Sequence, residues 1–478
     1  MRRSFSAFKL FAFVALAFVA LPPALTLTPA AKIPNPDPRL KNSYRRPPQD
    51  GWTYVHLEGT PGEIGFQHGA LLSKEIADGF AVQKLELMHD SHKPWDFYRD
   101  AARTILWPHV PAEYREELQG ISDGLKQAGV TLDIWDVVAL NASMEWSYYI
   151  EKYDKEHGIK TPKAVTAPGH CSAFVATGSY TKDGKIVIAH NNWTGYLDGQ
   201  RWTIAFDVTP ARGRHFVMDG YPGLIHSGDD FGMNDAGMVI TETTITGFQG
   251  WDSNGVAEFV RARQAMQYAE SIDDFARIMK AGNNGGYAND WLVADTKTNE
   301  VASLELGLKN VELKRTKDGY FTGANFPINA KLLKEETTFN EPDPGLSSNA
   351  RRVRWEQLMR ENKGRIDATL ARRFLADHYD VVAKKTEPNE RTLCGHIDLS
   401  PRGMGDWKAP YEPAGAVQNK VADAAMAAKM SYMAASGHAC GLSFKARPHL
   451  DKYPQFAWQS PLLGDMDARK WTRIQFRP

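Results

Sequence analysis

The stretch APGHCSAFVATGSYTKDGKIVIAHNNW, residues 167–193, decides how the chain is read. Pro168-Gly169 is a turn signal, and the run that opens at Cys171 has the composition of a strand. Lys182-Asp183-Gly184 turns the chain, and a second strand runs on to Trp193. The hairpin therefore begins on one of only three cysteines in 478 residues. A free cysteine is most often a small buried hydrophobe, but this position has a second chemical reading. If the His170–Cys171 bond were cut, the thiol would share a residue with a free α-amine of reference pKa ~7.7–8.0. Such an amine accepts the thiol proton near neutral pH, so that nucleophile and base reside in one residue. A thiol can also make the cut itself, by attacking the preceding carbonyl to give a thioester that water hydrolyses.

Outward from the hairpin, blocks of strand and helix alternate. WTIAFDVTPARGRHFVMDG (202–220) repeats the hairpin design, and GMNDAGMVITETTI (232–245) is a glycine turn leading into a β-branched strand. VAEFVRARQAMQYAESIDDFARIMKAG (256–282) has helical spacing. YANDWLVADTKTNEVASLELG (287–307) and NVELKRTKDGYFTGANF (310–326) return to strands. Residues 349–362, 367–380 and 420–436 (KVADAAMAAKMSYMAAS) read as helices. Upstream, residues 64–88, 94–106 and 113–129 space their apolar residues by three and four, and a further helix starts near Leu132 with Asp133 at its N-terminus. This pattern predicts antiparallel sheets with helices packed outside them. Residues 51–154 are expected to be mainly helical and residues 155–170 an exposed linker, with a proline-rich extended lead-in at 32–50. No internal repeat is visible.

The first residues carry a basic start (Arg2, Arg3, Lys9), an apolar run over 10–21 and small residues near 30–31. This is the grammar of a signal peptide over residues 1–31, with Arg2-Arg3 before Phe5 resembling a twin-arginine signal. The expectation is an exported protein, periplasmic or secreted. In an oxidising space Cys394 and Cys440 could pair as a disulfide, leaving Cys171 free. The cysteines show no metal-binding spacing in sequence, so no metal site is expected. Lys+Arg and Asp+Glu both number 57, a balance that argues against a nucleic-acid partner. Asn141 and Asn192 fit the short glycosylation pattern, but a glycan would not fit on the second hairpin strand.

Residues 170–193 resemble the nucleophile segment of N-terminal-nucleophile hydrolases related to penicillin acyltransferases, and more closely that of the phospholipase B-like family. EGTPGEIGFQHGALLSKEI (58–76) is similar to a motif of the acyltransferase relatives. MVITETTI (238–245), GYANDWLVAD (286–295), GHIDLSP (395–401), QNKVADAAMA (418–427) and FAWQSPLLGDM (456–466) resemble phospholipase B-like segments in the same order. The resemblance implies an α+β fold, an αββα four-layer sandwich of two stacked antiparallel sheets between helical layers, with a mainly helical N-terminal part. It implies a cut at His170–Cys171 that leaves a small chain and a 171–478 chain associated. It also implies a set of catalytic residues. Cys171 is the nucleophile. His190 and Trp193, three apart on the next strand, orient the α-amine or the substrate and wall the acyl pocket, respectively. Asn289 supplies an oxyanion amide. An arginine is drawn from Arg351, Arg352 and Arg354, with Arg351 favoured. Asn192, Thr243 and Thr244 would border the substrate. The implied chemistry is hydrolysis of acyl esters or amides through a thioester, with no cofactor. The substrate would be a phospholipid, implying peripheral membrane contact, or an N-acyl compound. Acyl transfer by an amidase-like enzyme, and a non-enzymatic exported binding protein that is never cut, are the alternatives.

Overall fold

In the computed structural model residues 37–162, 171–229, 231–404 and 409–476 are described. The expected signal peptide and the expected cut after His170 lie outside them. The elements considered belong to one unit that starts at Arg39.

Two sheets are built around the hairpin. The Ser172–Thr177 and Val187–Gly195 strands pair antiparallel inside a six-stranded sheet. Its order is Gly319–Gly323, Ser172–Thr177, Val187–Gly195, Ala414–Asp423, Ser431–Ser436 and Thr472–Gln475. The second sheet has nine strands, in the order Tyr44–Arg45, Thr53–Gly59, Ile204–Pro210, Phe216–Gly220, Gly232–Asn234, Met238–Thr244, Asn289–Asp295, Glu300–Leu306 and Val311–Thr316. Every pairing is antiparallel except that of Thr53–Gly59 with Ile204–Pro210.

Side-chain alternation sorts the layers. Ala173, Val175 and Ile188 of the smaller sheet pack against Ala205, Val217, Val239, Leu292 and Ala294 of the larger one, forming the core between the sheets. Phe174, Ala176, Val187 and Ala189 point the other way, onto Trp355, Leu358, Phe374 and Leu375 of the helices outside the six-stranded sheet. The outer face of the larger sheet, with Val55, Phe206, Ile240, Trp291 and Val293, is covered by helices carrying Ile64, Ile76, Leu118, Val138 and Phe275. The result is an αββα sandwich. Strands buried on both faces need apolar residues at every position, so SAFVAT reads as a continuous apolar run.

In the N-terminal helical layer the Pro61–Leu71 and Ala112–Gln127 helices cross through Gly65, Gly69, Gly120 and Gly124. A Cβ at Gly65 would lie 1.9 Å from the Glu117 carbonyl oxygen, so the crossing requires glycine. The Ile134–Asn141 helix is capped by Asp133 in a capping box with Asp136.

Residues 51–154 are mainly helical, with one strand, Thr53–Gly59, beside which the lead-in contributes Tyr44–Arg45. Two expectations need correction. The last helix of that part, Trp146–His157, runs past residue 154 until Gly158 ends it with φ 68°. Residues 420–436 are not one helix. They are the end of the Ala414–Asp423 strand, a single turn at Ala424–Ala427, and the Ser431–Ser436 strand. Alanine-rich composition favours helix, but here small side chains let two central strands lie between packed layers, and tertiary contact overrides propensity.

Candidate active site around Cys171

Cys171 immediately precedes the Ser172–Thr177 strand and is 1% exposed. Its Sγ lies 3.8 Å from Oε1 of Glu242 and 4.0 Å from Oδ1 of Asn192. The thiol, a ring nitrogen of His190 and a carboxylate oxygen of Glu242 all lie within 4.8 Å of one another. The hairpin register explains the grouping, because Ala173 pairs with His190 and Ser172 with Asn191, which sets Cys171 beside Asn192. Strand alternation also separates the two asparagines. Asn192 faces the thiol, whereas Nδ2 of Asn191 donates to the carbonyls of Leu375 and Leu393 in the outer layer.

Arg351 closes the other side. It comes from the Ser347–Glu361 helix and is fully buried. Nη1 donates to the Cys171 carbonyl and to Oγ of Ser172 (3.1 Å), Nη2 to Oδ1 of Asn325 (2.9 Å), and Nε to Oγ of Ser347 (2.9 Å). Asn325 in turn donates to the Thr244 carbonyl at 2.9 Å, linking the arginine to the larger sheet. The guanidinium lies 4.3 Å from the ring centroid of buried Trp193. Helical spacing puts Arg354 near the same face, yet it pairs with Asp377 at 2.7 Å, and Arg352 lies over Phe326. Of the three arginines, only Arg351 contacts Cys171 among the described residues.

The Met238–Thr244 strand pairs Thr244 with Asn289 and Glu242 with Trp291. Glu242, Thr244 and Asn289 therefore share one face. Thr243 faces the opposite way, close against Gly323 of the six-stranded sheet. The side chains of His190 and Asn289, Nδ2 of Asn192 and Oγ1 of Thr243 and Thr244 are buried without a hydrogen-bond partner. Native interiors seldom leave so many buried polar atoms unmatched unless a ligand or water is to meet them.

The electrostatics are those of a dry pocket. Burial pushes the Cys171 thiol well above its usual range, and the Glu242 carboxylate adds to that. Burial, and then the Lys420 cation, hold His190 well below its usual value, so its ring is neutral. Burial brings Arg351 down to about 9, with Cys171 acting in the opposite sense. Lys420 itself is buried against Asp219 (3.1 Å) and Asp229, and Gln418 donates to both carboxylates at 2.5 Å.

Sequence reading passed over Glu242, although a carboxylate in the middle of the β-branched run MVITETTI was a usable signal. It also passed over Tyr287, whose hydroxyl donates to Glu242 at 2.9 Å. Asn325 and Lys420 gave no such signal. The expected Cys394–Cys440 disulfide is not formed, and all three cysteines are free. Both sulfurs turn instead toward His396, with His378 beside them.

A family model described as Phospholipase B matches residues 73–335, a span that includes Cys171, His190, Trp193, Glu242 and Asn289. Phospholipase B of Crotalus adamanteus is 26% identical over 319 residues, covering 61% of this chain and 54% of that protein. Putative phospholipase B-like 2 of Rattus norvegicus is 27% identical over 361 residues, covering 64% and 57%. The chain thus spans about half the length of the curated relatives it matches. Among solved structures, a conjugated bile acid hydrolase variant from Clostridium perfringens aligns with 64% of this chain and 97% of its own, at 10% identity and a TM-score of 0.33.

Proposed function

The chain belongs to the phospholipase B family, and from that premise we propose that it is a self-processing cysteine hydrolase of acyl ester or amide bonds. The observation that carries the reading is the setting of Cys171. A buried thiol opens a core strand, its carbonyl is gripped by a buried arginine, and unmatched polar groups surround it.

In the maturation step the thiol attacks the His170 carbonyl, the C–N bond breaks, and the proton passes to the departing α-amine. Water then hydrolyses the thioester and frees Cys171 as a chain terminus. In turnover the α-amine takes the thiol proton. The high thiol pKa imposed by burial and by Glu242 means that such a base is needed. The ammonium so formed is stabilised by the Glu242 carboxylate beside the sulfur. The thiolate attacks the acyl carbonyl, the Asn289 amide donates to the oxyanion, and the departing alcohol or amine collects the proton from the α-ammonium. Water, deprotonated by the same amine, then releases the acid. Neutral His190 and Asn192 orient the substrate, and Arg351 fixes the Cys171 backbone.

The family name favours fatty acyl chains of glycerophospholipids as substrates, and N-acyl amides suit the same chemistry. Intact-mass analysis of the purified protein tests the reading. The expected result is two chains, the second beginning at Cys171, with Cys171→Ala leaving one chain that hydrolyses neither phospholipids nor acyl amides. An active protein with an uncut chain would overturn the amine-base mechanism. An uncut chain inactive on both substrate classes would overturn the hydrolase itself.

A further inference from the structure

Away from Cys171, four side chains from three loops converge on one point. His378 lies just beyond the Ala368–Leu375 helix. Cys394 and His396 flank Gly395, and Cys440 lies in the turn after the Ser431–Ser436 strand. Their ligand atoms all lie within 4.8 Å of one another. Nε2 of His396 is 3.6 Å from Sγ of Cys394 and 3.5 Å from Sγ of Cys440. A tetrahedral ion with metal–sulfur bonds of ~2.3 Å and metal–nitrogen bonds of ~2.0–2.1 Å places sulfur and nitrogen ~3.6 Å apart. The two distances thus match two edges of one coordination tetrahedron. Nε2 of His378 is buried and makes no hydrogen bond. Nε2 is the His396 nitrogen that faces both sulfurs, while Nδ1 lies 3.8 Å from Oδ1 of Asp398, too far for a hydrogen bond. A disulfide between the two sulfurs would give the imidazoles no role.

We infer that Cys394, Cys440, His378 and His396 form a structural Cys2His2 site for a divalent transition-metal ion of the zinc type. The set supplies two thiolates and two imidazoles, a closed tetrahedral shell with no position left for a substrate. Cys394 and His396 are buried while His378 and Cys440 are half-buried, which leaves an entry path from solvent.

The site would brace the candidate active site from behind. Leu393 accepts from Asn191, and Gly395 packs directly against the Trp193 indole. An ion at residues 394 and 396 would therefore hold the backbone against which Asn191 and Trp193 are set.

The test is metal analysis of the full-length protein, purified with a thiol reductant and supplied with zinc. About one zinc per chain is expected, with Cys394 and Cys440 unreactive to alkylation until a chelator is added. Cobalt(II) in place of zinc should give thiolate charge-transfer and tetrahedral d–d bands that vanish in Cys440→Ser. His378→Ala should weaken zinc binding by more than the ~10–100-fold typical of losing a merely orienting partner. Cys171→Ala should keep the metal, which separates this site from the Cys171–His190–Glu242 cluster. A Cys394–Cys440 disulfide in non-reducing peptide maps of protein kept in reductant would overturn the proposal. So would failure of the reduced chain to bind zinc, or zinc lost with Cys171 rather than with His378.

Discussion

The contact between Gly395 and Trp193 offers a sharp perturbation. A Cβ at residue 395 would fall 2.3 Å from Cη2 and Cζ2 of the indole and 2.5 Å from Cε2. Carbon atoms in van der Waals contact sit ~3.5–4.0 Å apart, so Gly395→Ala must displace the ring by about 1 Å or more. Trp193 is fully buried, and the ring cannot move without disturbing the guanidinium 4.3 Å from its centroid. That guanidinium holds the Cys171 carbonyl. Overpacking a core costs ~1–3 kcal/mol, and a disturbed desolvated cation–π contact adds up to ~2 kcal/mol. With an unfolding entropy of about 2.1 cal/mol/K per residue a unit of this size shifts by roughly 1 °C per kcal/mol, so a fall in Tm of roughly 1–5 °C is expected by calorimetry. A shift of about 1 Å at the nucleophile slows chemistry by ~10²-fold, which acyl-hydrolysis rates on refolded, intact-mass-checked protein would read. Gly62→Ala is the control, since its Cβ would meet only the Glu116 carbonyl at 3.9 Å. That change should leave the rate alone and leave stability equal or higher by less than ~1 kcal/mol. If Gly395→Ala melts and turns over like the parent, the chain of contacts from residue 395 through Trp193 and Arg351 to Cys171 does not hold.

Other expectations follow from the same geometry. Asn289→Ala should lower kcat by ~10²–10³-fold with little change in KM, and an unchanged kcat would remove Asn289 from the oxyanion role. Gly65→Ala, whose Cβ would lie 1.9 Å from a backbone oxygen of the facing helix, should abolish recovery of folded protein by circular dichroism, whereas normal yield would refute the close crossing. Burial raises the carboxyls of Asp219 to about 8, Asp290 to about 6 and Glu305 to about 7, all above their unfolded values. The folded state then holds protons that the unfolded chain releases, so stability present near pH 4 is lost as pH rises toward 8. Buried His68, His190 and His438, held below their usual value, act in the opposite sense over the same range, so the carboxyl contribution is read by difference: Asp219→Asn should give a Tm profile that falls less, or rises more, from pH 5 to pH 8 than the parent's. Lys420→Met leaves two buried aspartates without their cation and should cost ~3–5 kcal/mol in urea unfolding at pH 8, and less at pH 5, where a carboxyl takes up the missing proton.

What could be read in the sequence divides along physical lines. Cys171 stands out because cysteine is rare and its position, first in a core strand after a turn, is one that chemistry can exploit. The strand-rich character of residues 171–245 is equally open, because turn residues and β-branched runs are local signals. Residues 420–436 misled because alanine carries helix propensity while its small size, which lets it fit between packed sheets, is a property of the neighbours. Glu242 and Lys420 are common residue types, made special only by what surrounds them. Glu242 becomes part of a site when the Met238–Thr244 strand is laid across the start of the hairpin, and Lys420 when Asp219 arrives from the other sheet and Asp229 from the loop that follows it. The same holds for His378, Cys394, His396 and Cys440. CGH and HAC are each too short to mean anything, and the 45 residues between Cys394 and Cys440 lie outside any local ligand spacing. A metal site assembled from separate loops can be recognised only once register and turns have fixed where those loops end. The disulfide expectation differs from the structure for an informative reason: pairing arithmetic counts cysteines, whereas the fold leaves both thiols free and places two histidines in the same pocket.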